Sequence, residues 1–356
     1  MQDYREWKSM QLPGSGLTVS GYSRAGEATG FWVKELKWLL DAGVPNSQLK
    51  PERVFITHCH VDHSMMLPLY VHRKNKMEVY APATAVPYLK EYVAAMNRLN
   101  QESSDWEDRS GGYHYHPISF PSSSSAATTK EEGEESESKG GSSIVHGFEK
   151  PVAMDKSHAV RFVRCTHAPV SSLGYCFSEV RQKLKGEFAD KKGRELGLLR
   201  KQMTHEPQTQ RQGVEIMETV NKPLFAFLGD TTEQVFAEHG EDVLRDYPVI
   251  FVECTFFIPG HEQAAQQSQH MHWSKLKPYV ALLKDTTFIL IHFSKRHSEE
   301  EILTFFEEQR KLAAESENAE EISIYSRVIP WIDPPRSSSS SSSASSSSFS
   351  SSSSSS

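Results

Sequence analysis

Val54-Phe55-Ile56-Thr57-His58-Cys59-His60-Val61-Asp62-His63 runs from an apolar β-type segment straight into three imidazoles and a carboxylate. Four such groups within six residues cannot all share one face of a regular helix or strand. They fit a tight loop at a strand end that wraps metal. His58 and His60, two apart, can point at one ion, and Asp62 and His63 can turn toward a second. Imidazole with carboxylate suits zinc, with iron or manganese as alternatives. The alternation of the strand points Cys59 away from the site, as a buried thiol rather than a ligand.

Further along the chain, other apolar runs end in the same way. Ala159 to Thr166 alternates like a strand and delivers His167. Pro223 to Leu228 leads into Gly229-Asp230-Thr231-Thr232, and Thr287 to Ile291 delivers His292. A lone histidine after a strand is more often a packed core residue than a ligand. Joint placement after several β-runs makes His58, His60, His167, Asp230 and His292 candidates for one rim. Between these strands, residues 64–74 are predicted as a helix capped by Ser64, and residues 84–100 as a second helix. Residues 263–283 read as one helical stretch carrying His270, His272 and Trp273, interrupted or kinked by Pro278. Ser298, followed by three glutamates, starts a last long helix.

Composition narrows the function classes. Of 356 residues, 37% are hydrophobic, a fraction diluted by serine-rich segments, so the rest can bury a sizeable core. The net charge of −7 excludes a generally basic nucleic-acid coat. Any RNA contact must be local, and residues 181–201 offer it, with eight cationic residues against three acidic ones. That stretch reads either as a solvated helical face or as a phosphate-binding surface. Cys59, Cys165, Cys176 and Cys254 show no CxxC spacing, as expected in a reducing compartment. No apolar run reaches membrane-spanning length, and the first residues lack a secretory h-region. Residues 119–143, rich in serine and glutamate, and 337–356, almost pure serine, are expected to be disordered.

The motifs together resemble the metallo-β-lactamase superfamily and, within it, ribonuclease Z, the tRNA 3′-processing endoribonuclease, in its short form. The His58–His63 motif alone marks only the superfamily. More specific are Thr255-Phe256, Gln269-His270-Met271-His272, and Ile291-His292-Phe293-Ser294-Lys295-Arg296. His167 to Tyr175 and Gly229-Asp230-Thr231-Thr232 also match its middle motifs. The resemblance implies an α/β fold, the αββα four-layer sandwich, formed by residues 1–118 and 144–336 as two parts of one domain. It implies two Zn2+ ions per chain. His58, His60, His167 and Asp230 would hold the first, and Asp62, His63, His292 and a bridging Asp230 the second. Asp62 would act on the attacking water, and His270 would protonate the leaving 3′-oxygen, with His272 as the competing acid. The implied activity is removal of the 3′ trailer from precursor tRNA by a homodimer, expected in the cytoplasm, with nucleus or organelle as alternatives. Lys183, Lys185, Lys191 and Lys192 are the candidate RNA grip, since a long projecting arm is not apparent. The alternatives are another hydrolase on the same fold, such as a phosphodiesterase or a glyoxalase-like thioesterase, and a weakly active RNA-binding relative. Two departures stand out: Met65-Met66 where the family usually has Gly-Gly, and His297 where it usually has tyrosine.

Overall fold

The computed structural model describes residues 7–70, 77–104, 113–120, 147–188, 190–196 and 216–332. The serine/glutamate-rich stretch, apart from Ser119 and Phe120, and the poly-serine tail lie outside them. Among the described residues, fourteen strands form two seven-stranded sheets, each in chain order. The first contains β1 (Lys8–Gln11), β2 (Thr18–Arg24), β3 (Ala28–Val33), β4 (Trp38–Leu40), β5 (Arg53–Phe55), β6 (Met77–Pro82) and β7 (Tyr113–Ile118). The second contains β8 (Val152–Ala153), β9 (His158–Cys165), β10 (Ser172–Leu184), β11 (Met217–Leu228), β12 (Val249–Glu253), β13 (Thr287–Ile291) and β14 (Val328–Pro330). In both, antiparallel pairing gives way to parallel pairing, at β4 in the first sheet and at β11 in the second.

Why the sheets stack follows from their side chains. Phe31, Trp38 and Phe55 of the first sheet meet Tyr175, Phe177, Phe227 and Phe251 of the second in one buried cluster. Edge-to-face contacts such as Phe31–Phe227, with ring centroids 5.7 Å apart, fill it. The outer faces are covered by helices. α1 (Val61–Ser64), α2 (Leu67–Tyr70) and α3 (Val86–Gln101) lie along the first sheet. The second is covered by α4 (Gln234–His239), α6 (Trp273–Leu282), α7 (Glu299–Glu315) and α8 (Ala319–Ser326), with the short α5 (Glu262–Ser268) leading into α6. The result is the αββα four-layer sandwich.

Three local expectations change. Ser64 caps no helix; it is the buried last residue of α1, and its hydroxyl donates to the His60 carbonyl at 3.1 Å. The stretch 263–283 is two helices, because Gln269 turns left-handed (φ 54°) and ends α5. The following residues bond to the end of β12 instead: Phe256 N donates to Met271 O, and Trp273 N donates to Phe256 O. The basic stretch begins as strand rather than helix. β10 and β11 continue past their neighbours as a two-stranded ribbon, out to the Leu184–Met217 pair. A projecting arm therefore exists, with Lys183 exposed on it; Lys185 follows half-buried, and Lys191 and Lys192 lie exposed nearby. Ser298 does start α7, through a capping box with Glu301.

Four contacts lock the sheets together at one rim. Leu173 N donates to Thr57 O at 2.9 Å, and Tyr175 Oη donates to Ile56 O at 2.7 Å. On the other side, Ala25 N donates to Phe293 O at 3.1 Å, and His292 N donates to Ser23 Oγ at 3.0 Å. The ends of β5, β9, β11 and β13 are thereby held side by side. Gly43 sits so close to the metal-motif loop that a Cβ there would overlap the Asp62 carbonyl.

Candidate metal centre

The rim brings together every strand-end residue expected there. The donor atoms of His58, His60, His167 and Asp230 lie within 4.8 Å of one another, as do those of Asp62, His63 and His292. Asp230 stands between the groups. Its Oδ1 is 3.5 Å from His63 Nε2, while its Oδ2 is 3.6 Å from His58 Nε2 and 3.4 Å from His292 Nε2. His270 joins Asp230 and His292 in a third cluster of the same dimension.

Hydrogen bonds behind the rim decide which nitrogen faces inward. His63 Nδ1 donates to the fully buried Asp41 at 2.8 Å. Thr57 donates to the same carboxylate and receives His58 Nδ1 at 3.1 Å. His167 Nδ1 donates to the Gln269 carbonyl at 3.2 Å, and His292 Nδ1 to Thr255 Oγ1 at 3.1 Å. With Nδ1 spent outward, the Nε2 lone pairs of all four point into the rim, the arrangement that fixes tautomer and basicity in metal ligands. The inward nitrogens crowd one another: His58 Nε2 to His60 Nδ1 is 3.0 Å, and His63 Nε2 to His292 Nε2 is 3.2 Å. Lone pairs set face to face are repulsive unless a proton or a cation lies between them. Burial, then the neighbouring imidazoles, hold His58 well below the usual histidine range, which keeps it neutral and able to ligate. On the acidic side burial works the other way, yet the neighbouring imidazoles of His292 and His63, with the Gly26 N–H, hold the Asp62 carboxyl far below the carboxylate range. Donor chemistry, tautomers and spacing thus fit a binuclear metal site.

One residue was hidden by its context. Glu253 lies in the apolar run of β12, and its only sequence signal is a charge among buried side chains. It is fully buried and accepts four neighbours: Thr231 N at 2.6 Å, Thr255 Oγ1 at 2.6 Å, Met271 N at 3.0 Å and His270 Nδ1 at 2.9 Å. Burial alone would raise its pKa; His270 and the other donors instead hold it below the usual carboxylate range. Burial would likewise lower His270, but the Glu253 charge raises it to about 9. The two form a buried ion pair at the edge of the donor clusters. His272 does a different job. Its Nδ1 accepts Ser274 N as the N-cap of α6, and its Nε2 lies 3.1 Å from the Ile258 carbonyl. Asp41 was hidden in the same way as Glu253, at the end of Trp38-Leu39-Leu40. Cys59 is half-buried against the helices, with its thiol pushed up to about 12 by burial.

Two mixed sheets between helical layers, with His-x-His-x-Asp-His at a strand end and its partners at neighbouring ones, define a metallo-β-lactamase-fold protein and a metal-dependent hydrolase. Within that class the chain is similar to two tRNase Z proteins. It is 28% identical to the chloroplastic tRNase Z TRZ2 of Arabidopsis thaliana, over 80% of this chain and 69% of that protein. It is 26% identical to tRNase Z TRZ1 of the same plant, over 83% of this chain and 91% of that protein. Among solved structures it is similar to the human tRNase Z, short form, at 15% identity and a TM-score of 0.48, covering 78% of this chain and 93% of that one. No protein-family model matches the chain.

Proposed function

We propose that this protein is a zinc-dependent endoribonuclease that removes the 3′ trailer from precursor tRNA and leaves a 3′-hydroxyl on the tRNA. One observation carries the reading: similarity to two tRNase Z proteins runs along four-fifths of a chain whose candidate metal donors converge at one rim. His58, His60, His167 and Asp230 would hold one ion, and Asp62, His63, His292 and the shared Asp230 a second. When bound, zinc there supplies an acidified water and neutralises charge on the scissile phosphate.

The chain's own side chains supply the rest. Asp62 orients the attacking water or accepts its proton; its Oδ2 is already fixed by Gly26 N at 2.8 Å. His270 delivers a proton to the departing 3′-oxygen, a poor leaving group without one. Glu253 keeps that proton on His270 and fixes the ring. His272, turned away to cap α6, is poorly placed to compete. The ribbon of β10 and β11, with Lys183 on it and Lys185, Lys191 and Lys192 beyond, would hold the tRNA backbone away from the chemistry. Val61, Leu69 and Tyr88 expose apolar surface on α1–α3, which fits burial against a second copy in a homodimer.

The test is trailer cleavage by the purified protein, alongside hydrolysis of bis(p-nitrophenyl) phosphate and metal analysis. A single cut that leaves a 3′-hydroxyl is expected, with zinc restoring activity after chelation. Hydrolysis of the nitrophenyl ester without any cut in precursor tRNA would overturn the reading. Sedimentation gives the oligomeric state.

A further inference from the structure

A cavity of about 700 Å3 opens beside His270, large enough for a nucleotide. The turn after Asp230 and the start of α4 form one wall, α5 forms another, and Lys275 of α6 stands at the rim. Its lining mixes charged groups with the neutral carboxamides of four glutamines, Gln234, Gln263, Gln266 and Gln269. Gln263 and Gln266 lie three apart on α5, so they share a face, and both are exposed. Neither carboxamide has a hydrogen-bond partner among the described residues, whereas Gln234 opposite is engaged with Glu238 at 2.8 Å. Each free carboxamide offers a donor pair and an acceptor side by side. Ala237 and Ala265 add small apolar surface against which a ring can lie. Glu233 and Glu262 offset the ammonium of Lys275 and the imidazolium of His270, so charge on the walls does not single out a phosphate.

The direction of the reaction says what arrives here. If His270 protonates the leaving 3′-oxygen, the nucleotide that carries this oxygen lies on His270's side of the scissile phosphate. That nucleotide is the last one kept on the tRNA. We propose that the cavity receives the base of this nucleotide and that Gln263 and Gln266 hydrogen-bond its edge, as carboxamides do with unpaired bases. The assignment of the nucleotide rests on the trailer-cleavage reading; the recognition of a base by the cavity does not.

Calorimetry on the metal-loaded full chain tests it, with the four nucleoside 3′-monophosphates and the corresponding sugar 3′-phosphate without a base. At least one base should add about tenfold in affinity, the worth of one or two hydrogen bonds. Gln263→Ala with Gln266→Ala should remove that gain and leave the base-free sugar phosphate unchanged. Equal binding with and without a base, no binding of either, or a gain that survives the double substitution would each overturn the proposal. The same double variant should cut precursor tRNA more slowly while hydrolysing bis(p-nitrophenyl) phosphate at the wild-type rate. Base-dependent binding that the substitutions abolish, in a protein that never cuts precursor tRNA, would sink the trailer reading and leave the cavity assignment standing. Normal cutting by the variant, with no base dependence in calorimetry, would do the reverse.

Discussion

In the N-terminal half, Asp41 lies buried behind the rim and accepts Thr57 and His63; in the C-terminal half, Glu253 lies buried behind it and accepts Thr255 and His270. Each threonine also meets a second rim histidine, Thr57 reaching His58 and Thr255 reaching His292. The two sheets thus repeat one device, a buried carboxylate relayed through a threonine hydroxyl. They differ in what the carboxylate serves. Both histidines tied to Asp41 belong to the four-donor motif, so Asp41 supports metal binding. The histidine tied directly to Glu253 stands at the edge of the clusters, where the proposed reaction needs a proton donor. On that proposal an extra acceptor on a rim histidine tunes a ligand in one half and sustains a proton donor in the other.

The residue common to both halves gives the largest expected effect. Asp230→Ala should lower bound metal from about two ions per chain to fewer than one, since structural and catalytic zinc sites need their full set of protein ligands. Hydrolysis of RNA and of bis(p-nitrophenyl) phosphate should both fall below detection. Retention of two ions would remove Asp230 from its bridging position.

Next comes the C-terminal carboxylate. Glu253→Gln should slow RNA cleavage by about 10²–10⁴-fold, the usual worth of a general acid, with metal content unchanged. The nitrophenyl ester, whose leaving group needs no proton, should be largely spared. His270→Ala should behave alike, and the double variant should be little worse than either single one. His272→Ala should instead cost about 1 kcal/mol of stability through the lost cap, without substrate selectivity. Metal loss in the His270 variant would make it a ligand and erase the contrast between the halves.

Asp41→Asn should act through metal alone. Zinc affinity should drop by about 10–100-fold, both substrates should suffer equally, and added zinc should restore them. A selective loss of RNA cleavage would reverse the roles assigned to the two carboxylates. The smallest effect is expected far from either. Replacing Lys183, Lys185, Lys191 and Lys192 by alanine should weaken precursor tRNA binding and flatten its salt dependence, with nitrophenyl hydrolysis intact. Equal loss on both substrates would make the ribbon structural.

These halves were not equally legible. The N-terminal donors sit in one six-residue loop, so local sequence displays them at once. His167, Asp230 and His292 are scattered, and only their shared position after apolar strands marks them. Asp41 and Glu253 escape that logic because a buried charge looks like noise in a hydrophobic run until its donors are seen. Helical periodicity also misleads around His270. The pattern of 263–283 is continuous, but backbone bonds to Phe256 pull Met271 and Trp273 toward β12 and split the helix. Tertiary contacts of this kind override local propensity. The ribbon of β10 and β11 was missed because its outer residues are mostly polar, with apolar ones too sparse to give a clear alternation.

The aromatic layer between the sheets also bears on how the chain is made. Phe31, Trp38 and Phe55 need residues that come more than a hundred positions later to complete their burial, Trp331 among them, with its ring 5.2 Å from Phe31. During synthesis the first sheet therefore leaves the ribosome with an apolar face and nothing to set against it. Until the second sheet follows, that face is a surface for chaperones to hold or for neighbouring chains to stick to. Slow translation through the intervening segment would lengthen the exposure.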